Sequence, residues 1–495
     1  VSNSPDDIHS PGGVPHSPYE PPQSDLIPPE QSAPASPDAD PAVTARNISA
    51  FLWFRVLFNS RFYYPIYTIL FLDFGLTLEQ FATLNMIWAA SIVVFEVPSG
   101  ALADKLGRKK LVVFSAILMV VEMLLLCSMP IGAGALTFSL FLVNRIVSGL
   151  AEACCSGADE ALVYDSLPVA GRSEAWTRVL ARMMRWQSVT FMIVALLGAA
   201  TYSHDFMSRL PGLSGLSRET CMRIPLWLNF GMAVATLMVS LRFIDTHPKP
   251  QVRSSFPALV KSSFAQMVQT GRWILRSPAA VALILTGLLY DSFTRLFYTV
   301  GSNYYRLLGI DESCNGLILA GSSLLGIGTA VMVEKLMGVL RPSQNFGMVA
   351  GLITAGLAGI ALQITAWHGW AGVLFVVPFW LAMRSLHYFL SQYLNRVSDS
   401  SHRATVLSFK GLTMNFAYGL VMWFYGMQTA WLRKDAESEL AGLRKQAADV
   451  KLLSLAMPWW PWIFATLALL LMVFLRWRYR CGLTRLISGA EPAPK

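Results

Sequence analysis

The chain has 495 residues, of which 54% are hydrophobic, 12% aromatic and only 14% charged, with a mean hydropathy of +0.47. Soluble globular chains carry roughly 25% charged residues, so an ordinary soluble domain is excluded, and the apolar content excludes a disordered or fibrous chain. The net charge of +9 points to nucleic acid only until its placement is read: seven acids and no base precede Arg46, which leaves +16 for the remainder.

The first segment also holds 11 of the 27 prolines. It has too little apolar surface to offset the entropy of ordering it, so residues 1–46 read as an acidic, Pro-rich, disordered tail. It lacks the basic start and apolar core of a signal peptide, and its acids argue against a transit peptide. The first apolar segment is therefore expected to remain as a membrane helix.

A helix crossing about 30 Å of hydrocarbon needs about 20 mainly apolar residues. Twelve such segments follow, over 48–72, 80–99, 111–131, 135–158, 186–203, 223–243, 278–301, 313–334, 345–366, 369–391, 405–430 and 458–477. These runs are twice the length a membrane strand needs and lack strict alternation, so helices are the spanning element. The expected fold is an all-α integral membrane protein. A polar stretch over 245–276 divides it into two six-helix halves, 47–244 and 277–480, with a short tail at 481–495.

With the N-terminus cytoplasmic, about 25 of the basic residues fall on the cytoplasmic side and about 9 outside, the asymmetry expected of a membrane protein. Both termini are expected to be cytoplasmic in a multi-pass plasma-membrane protein, or an inner-membrane protein in a bacterium. The basic excess reports topology, so the lipid bilayer is the expected macroscopic partner and nucleic acid is not. The charged segment from Leu432 to Leu455 reads as a solvated or interfacial helix that spaces helices 11 and 12, and Arg178, Arg182 and Arg185 with Trp176 and Trp186 read as an interfacial segment before the fifth helix. Of six cysteines, Cys221 and Cys314 alone stand near the external face, where a bridge between them is open. No Cys or His cluster has metal-ligand spacing, and no nucleotide loop or nucleophile elbow appears, so neither metal, cofactor nor enzymatic activity is expected.

The loop after the second segment reads Gly100-Ala101-Leu102-Ala103-Asp104-Lys105-Leu106-Gly107-Arg108-Lys109-Lys110. It resembles the signature between helices 2 and 3 of the major facilitator superfamily. With the helix count and the central break, the resemblance covers nearly the whole chain after residue 45. It implies two pseudo-symmetric halves and a cytoplasmic latch made by Gly100, Asp104, Gly107 and Arg108 against the start of helix 11, around Arg403-Ala404-Thr405. Weak repetition, such as Asn59-Ser60 with Asp291-Ser292 and Arg145 with Arg384, is consistent with paired halves. A second stretch, Ser156 to Leu167, resembles a poorly characterised bacterial subgroup. The glycine-proline signature of the family's drug antiporters is replaced by Leu196-Leu197-Gly198-Ala199-Ala200.

Charges inside a span are costly, so they pair or face a cavity. On helix 1, Arg55, Asn59 and Tyr63 recur at four-residue spacing on one face, with Arg61 off it. On helix 7, Asp291, Arg295 and Tyr298 align; on helix 4, Arg145 and Glu152; on helix 10, Arg384 and His387; Glu122 stands within helix 3. These residues are the expected substrate or ion pathway. Arginines suit an anionic or zwitterionic small molecule, and Asp291 or Glu122 is the expected carrier of a coupling proton. The resulting expectation is secondary active transport of a small solute by alternating access, with proton coupling as an addition. Export of amphipathic compounds and import of a small anionic or zwitterionic solute both fit. The rival is a non-transporting receptor or scaffold on the same fold.

Overall fold

The computed structural model describes residues 40–168, 171–245, 255–366, 369–398, 403–480 and 483–488. In chain order its helices are α1 (Pro41–Phe58), α2 (Tyr67–Asp73), α3 (Leu78–Leu106), α4 (Arg108–Cys127), α5 (Ala135–Cys155), α6 (Ala158–Ser166), α7 (Arg172–Tyr202), α8 (His204–Ser208), α9 (Arg218–Ser240) and α10 (Phe256–Arg276). They continue with α11 (Pro278–Leu307), α12 (Cys314–Val339), α13 (Pro342–Ala366), α14 (Val377–Val397), α15 (Arg403–Asp435), α16 (Glu437–Leu440), α17 (Lys445–Ala456), α18 (Trp460–Tyr479) and α19 (Leu483–Ser488). Among the described residues no strand occurs.

Nine helical stretches among the described residues are long and apolar enough to cross a bilayer. The other three crossings are the first, which is broken between α1 and α2, then α12, and then α15, which carries charges towards both ends. Together they give the expected twelve. In the N-terminal half α4 packs on α5 and α9; in the C-terminal half α11 packs on α14 and α15, and α13 on α14. The halves meet where α3 packs on α15, α7 on α12 and α2 on α11.

The break in the first crossing corrects the reading of residues 48–72 as one helix. Asn59 caps α1, and Pro65, which has no N–H to donate, sits in a short 3-10 turn, Tyr64–Ile66, before α2. The freed backbone is held from outside: the Phe62 N–H donates to Asn229 Oδ1 of α9 at 2.7 Å. On the other side α7 approaches so closely that a Cβ on Gly198 would overlap the Phe62 carbonyl. The glycine that stands where a drug-antiporter signature was looked for is therefore a packing residue for this break.

Three more expectations change. The polar stretch between the halves contains α10, an amphipathic helix that packs on α3, α11 and α15. The Leu432–Leu455 segment is not a solvated spacer, because α17 buries Leu452 and Leu453 and packs against α2, α11 and α15. The arginines before the fifth crossing belong to α7 itself, which starts at Arg172. Cys221 and Cys314 are both free thiols.

Gly198→Val is expected to lower the unfolding free energy by about 1–3 kcal/mol through overpacking. Gly231→Ala on α9, where a Cβ meets nothing within 4 Å, should be neutral or stabilising by up to about 1 kcal/mol. Thermal unfolding of both variants in detergent checks this; equal stability of Gly198→Val and the parent would contradict the packing role.

Candidate functional site

Two buried ionic clusters face each other across the halves. In the N-terminal half Glu122 of α4 is fully buried. Arg61 Nη1, from the break, lies 3.3 Å from its carboxylate, and Arg145 Nη2, from α5, lies 3.7 Å away. Arg145 is fixed by two donations to Asn144 Oδ1 at 2.8 and 3.1 Å, by one to the Tyr67 hydroxyl at 3.1 Å, and by stacking over Phe71 at 5.4 Å. Two guanidiniums share one buried carboxylate. The second acid is Glu152, exposed in the last turn of α5 and within electrostatic reach of Arg61 and Arg55.

In the C-terminal half Asp291 of α11 is buried between Arg295, at 3.1 Å, and His387 Nε2 of α14, at 2.9 Å. Arg295 also donates to Asn415 Oδ1 at 2.9 Å and stacks over Tyr418 at 5.2 Å. Hydrogen bonds join the two clusters. Tyr67 donates to Asn85 Oδ1 at 2.7 Å, Tyr418 donates to the same oxygen at 3.4 Å, and Tyr418 is 2.9 Å from the Thr299 hydroxyl. The polar path thus runs from Glu122 through Arg145, Tyr67, Asn85 and Tyr418 to Arg295, Asp291 and His387.

The remaining pathway candidates fall elsewhere. Arg55 pairs with Asp159 at 2.5 Å and Glu160 at 2.8 Å, both on α6, so it is bound inside the N-terminal half. Asn59 is an exposed helix cap whose side chain donates to the Arg55 carbonyl. Tyr63 stacks on Tyr67 and meets Tyr64 edge-on, and Tyr64 is 46% exposed. The expected single face of Arg55, Asn59 and Tyr63 does not exist, because the helix ends at Phe58. Arg145 and Glu152 share α5 but form no ion pair with each other among the described residues. Arg384 is exposed, lies flat against Gly326 of α12 at 3.3 Å from a Cβ built there, and is within electrostatic reach of Tyr298. Among the described residues it has no carboxylate partner.

One end of the bundle is closed by ionic contacts. Arg306 of α11 makes a bidentate pair with Asp73 of α2, at 2.7 and 2.9 Å, and reaches Glu312 at 2.5 Å. Arg218, Tyr202 and Gln446 also reach Asp73, while Arg433 of α15 pairs with Glu79 of α3 at 2.8 Å. From α17, Lys445 donates to the Leu72 and Leu76 carbonyls at 3.0 and 2.6 Å. Every ion pair between described residues that joins the halves lies at this end. Burial alone would raise Asp73, but hydrogen bonds and charge from Arg306, aided by Tyr202 and Arg218, hold its carboxyl below the usual carboxylate range. Its stabilising contribution is complete above the ordinary carboxylate value of about 4 and is lost only as pH falls through the depressed one. A proton acting near neutral pH has to act elsewhere.

The Major Facilitator Superfamily model matches residues 50–422. The chain belongs to this superfamily of multi-pass membrane transporters. It is 23% identical over 243 residues to the quinolone resistance protein NorA of Staphylococcus aureus, covering 48% of this chain and 55% of that one. It is 23% identical over 271 residues to the multidrug resistance protein MdtL of Escherichia fergusonii, covering 54% and 60%. The chain thus spans little more than half the length of these relatives. Among solved structures, a bacterial homologue of the human lysosomal transporter Spinster, inward-facing and unoccupied, superposes with a TM-score of 0.64 at 14% identity over 92% of this chain and all of that one. The nucleoside transporter NupG gives 0.61 at 11% identity, over 88% and 99%.

The superfamily signature takes a specific form here. Gly107 joins α3 to α4 at φ +94°, a conformation L side chains rarely adopt, and a Cβ there would come 3.0 Å from Asp245 Oδ2. Arg108 pairs with Asp165 of α6, within its own half. Gly100 lies in open space inside α3. The side chains of Asp104 and of the expected latch partners Arg403, Ala404 and Thr405 lie outside what the structure describes, so the expected latch contact falls outside it too. Reasoning from spacing missed Arg61, Asn85, Asn415, Tyr418 and Asp73. Pro65 was the available signal for Arg61, since a proline inside an expected helix breaks the periodicity that excluded it.

Removing the counter-charge from a buried pair costs about 3–5 kcal/mol, so Glu122→Gln is expected to destabilise the protein by that order. Adding Arg61→Met should recover part of the loss, with a coupling of about 0.5–3 kcal/mol in a double-mutant cycle. Additive losses would show that the two side chains do not interact.

Proposed function

We propose that the chain is a secondary transporter that exports small amphipathic organic anions or zwitterions by alternating access. The observation that carries this reading is the set of ionic contacts that ties the halves together at the Asp73 end, with Tyr64 and Arg384 exposed within the crossings. In this reading the Gly107 end is cytoplasmic and open, with both termini on that side. Arg384, which has no acidic partner among the described residues, receives the solute's carboxylate through charge-assisted hydrogen bonds. Tyr64 and the partly buried Tyr67 offer aromatic surface to its apolar part. The direction is supported by the relatives named for quinolone and multidrug resistance.

Proton coupling is assigned to His387. Arg295 already neutralises Asp291, the carboxylate first expected to carry the proton. His387 is half-exposed and shares that carboxylate through Nε2 at 2.9 Å, which leaves its ring open to exchange a proton. Asp291, the carboxylate that His387 shares, also interacts with Arg295 on its own helix and with Lys410 on α15, and Arg384 stands three residues before His387 on α14.

Binding of an aromatic carboxylate to the purified protein, followed by thermal stabilisation, is expected to weaken about 10- to 100-fold in Arg384→Gln, while the methyl ester should be insensitive to that change. Equal affinity of both forms for both variants would overturn the assignment. In proteoliposomes, specific binding without any exchange of the same compound would favour a receptor instead.

A further inference from the structure

Three neighbouring helices of the N-terminal half, α1, α7 and α9, present the same pattern on their exposed faces. On α7 the exposed Arg178, Arg182 and Arg185 stand in register with the exposed Val189 and Ile193 deeper in the crossing. On α9 the exposed Trp227 and Met238 lead to Arg242, and on α1 Arg46, Ser49 and Trp53 share one face. Each face turns from apolar to arginine at the Gly107 end. Trp53 and Trp186, in edge contact at 5.4 Å, join α1 to α7 at that level.

Between α1 and α9 lies a recess of about 120 Å³ lined by Arg46, Ser49, Ala50, Trp53, Val239 and Arg242. Arg46 Nε donates to the Arg242 carbonyl at 2.9 Å, and Arg185 Nε donates to the Ala181 carbonyl. Beyond these, none of the five arginines has a carboxylate partner among the described residues. The local acids are fewer: Asp40 caps α1, Glu174 is the one acid on α7, and Asp245 follows Arg242, three carboxylates against these five arginines. The flank therefore carries a net positive charge beside an apolar, tryptophan-marked surface.

We infer that the recess between α1 and α9 holds the headgroup phosphate of an anionic phospholipid, whose acyl chains lie along the exposed apolar faces of α1, α7 and α9. Guanidinium forks match phosphate oxygens in pairs, and Ser49 adds a hydroxyl donor. Tryptophan prefers the depth at which headgroup and chain meet. The excess of arginine over acid selects a net-negative lipid over a zwitterionic one. The inference does not depend on the transported solute.

Native mass spectrometry of the full chain in detergent, titrated with phosphatidylglycerol, phosphatidylcholine or inorganic phosphate, tests it. Phosphatidylglycerol should be retained over phosphatidylcholine and should resist displacement by inorganic phosphate. Arg242→Gln keeps the backbone carbonyl that Arg46 engages, so it should fold normally while binding phosphatidylglycerol about fivefold more weakly. The Arg46→Gln/Arg242→Gln pair should compound this to about 25-fold, whereas Arg178→Gln, outside the recess, should leave recess occupancy unchanged. Equal retention of the two lipids, unchanged binding in Arg242→Gln, or displacement by inorganic phosphate at matching concentration would overturn the proposal.

Discussion

A charge inside the hydrocarbon span must be paired or wetted, and the placement of Glu122 between Arg61 and Arg145 shows how far that constraint shapes this bundle. To bring Arg61 to Glu122 the first crossing has to break. The break frees backbone groups, and these call for Asn229 on α9 and for a glycine at 198 on α7. Arg145 in turn needs Asn144 and Tyr67, and Tyr67 passes the network to Asn85 and across to Tyr418. The network around one buried carboxylate thus reaches seven crossings.

The C-terminal half meets the same constraint differently. Asp291 takes Arg295 one turn away on its own helix and His387 from α14, so its cluster needs no break. Among the described residues that half is also left with a surplus of positive groups, since Arg384 has no acid beside it and Lys410 interacts with the already shared Asp291. The two halves share a fold without sharing electrostatics. At the Asp73 end the ionic contacts cross between halves, whereas those of Arg55 and Arg108 stay within one. Contacts of the first kind must be broken for the halves to rock, and contacts of the second kind move with their own half.

Apolar length and the polar division near residue 245 were enough to read twelve crossings and two halves, because hydrophobic length is a one-dimensional property of the chain. The Gly107 turn was legible for a similar reason: a residue adopting φ +94° is almost always glycine. The site was legible only in part. Asp291, Arg295 and His387 were singled out as buried charges and do converge, and Glu122 with Arg145 likewise. Arg61 was set aside by a helical period that stops at Phe58. Asp73 and Arg306 fall just beyond the expected spans and α17 within the charged Leu432–Leu455 segment, and their role depends on which helices meet at one end. Pairing across 233 residues, as between Asp73 and Arg306, leaves no trace in local spacing.

The central claim is that a bundle tied shut at the Asp73 end alternates its access through those ties. The most direct measurement is the reactivity of Tyr64→Cys, in a chain otherwise free of cysteine, towards an impermeant maleimide applied from either side of the membrane. The account predicts labelling from the Gly107 side only, with labelling from the Asp73 side appearing once Asp73→Asn removes the bidentate pair with Arg306. Equal labelling from both sides in the parent, or an unchanged pattern in Asp73→Asn, would contradict it.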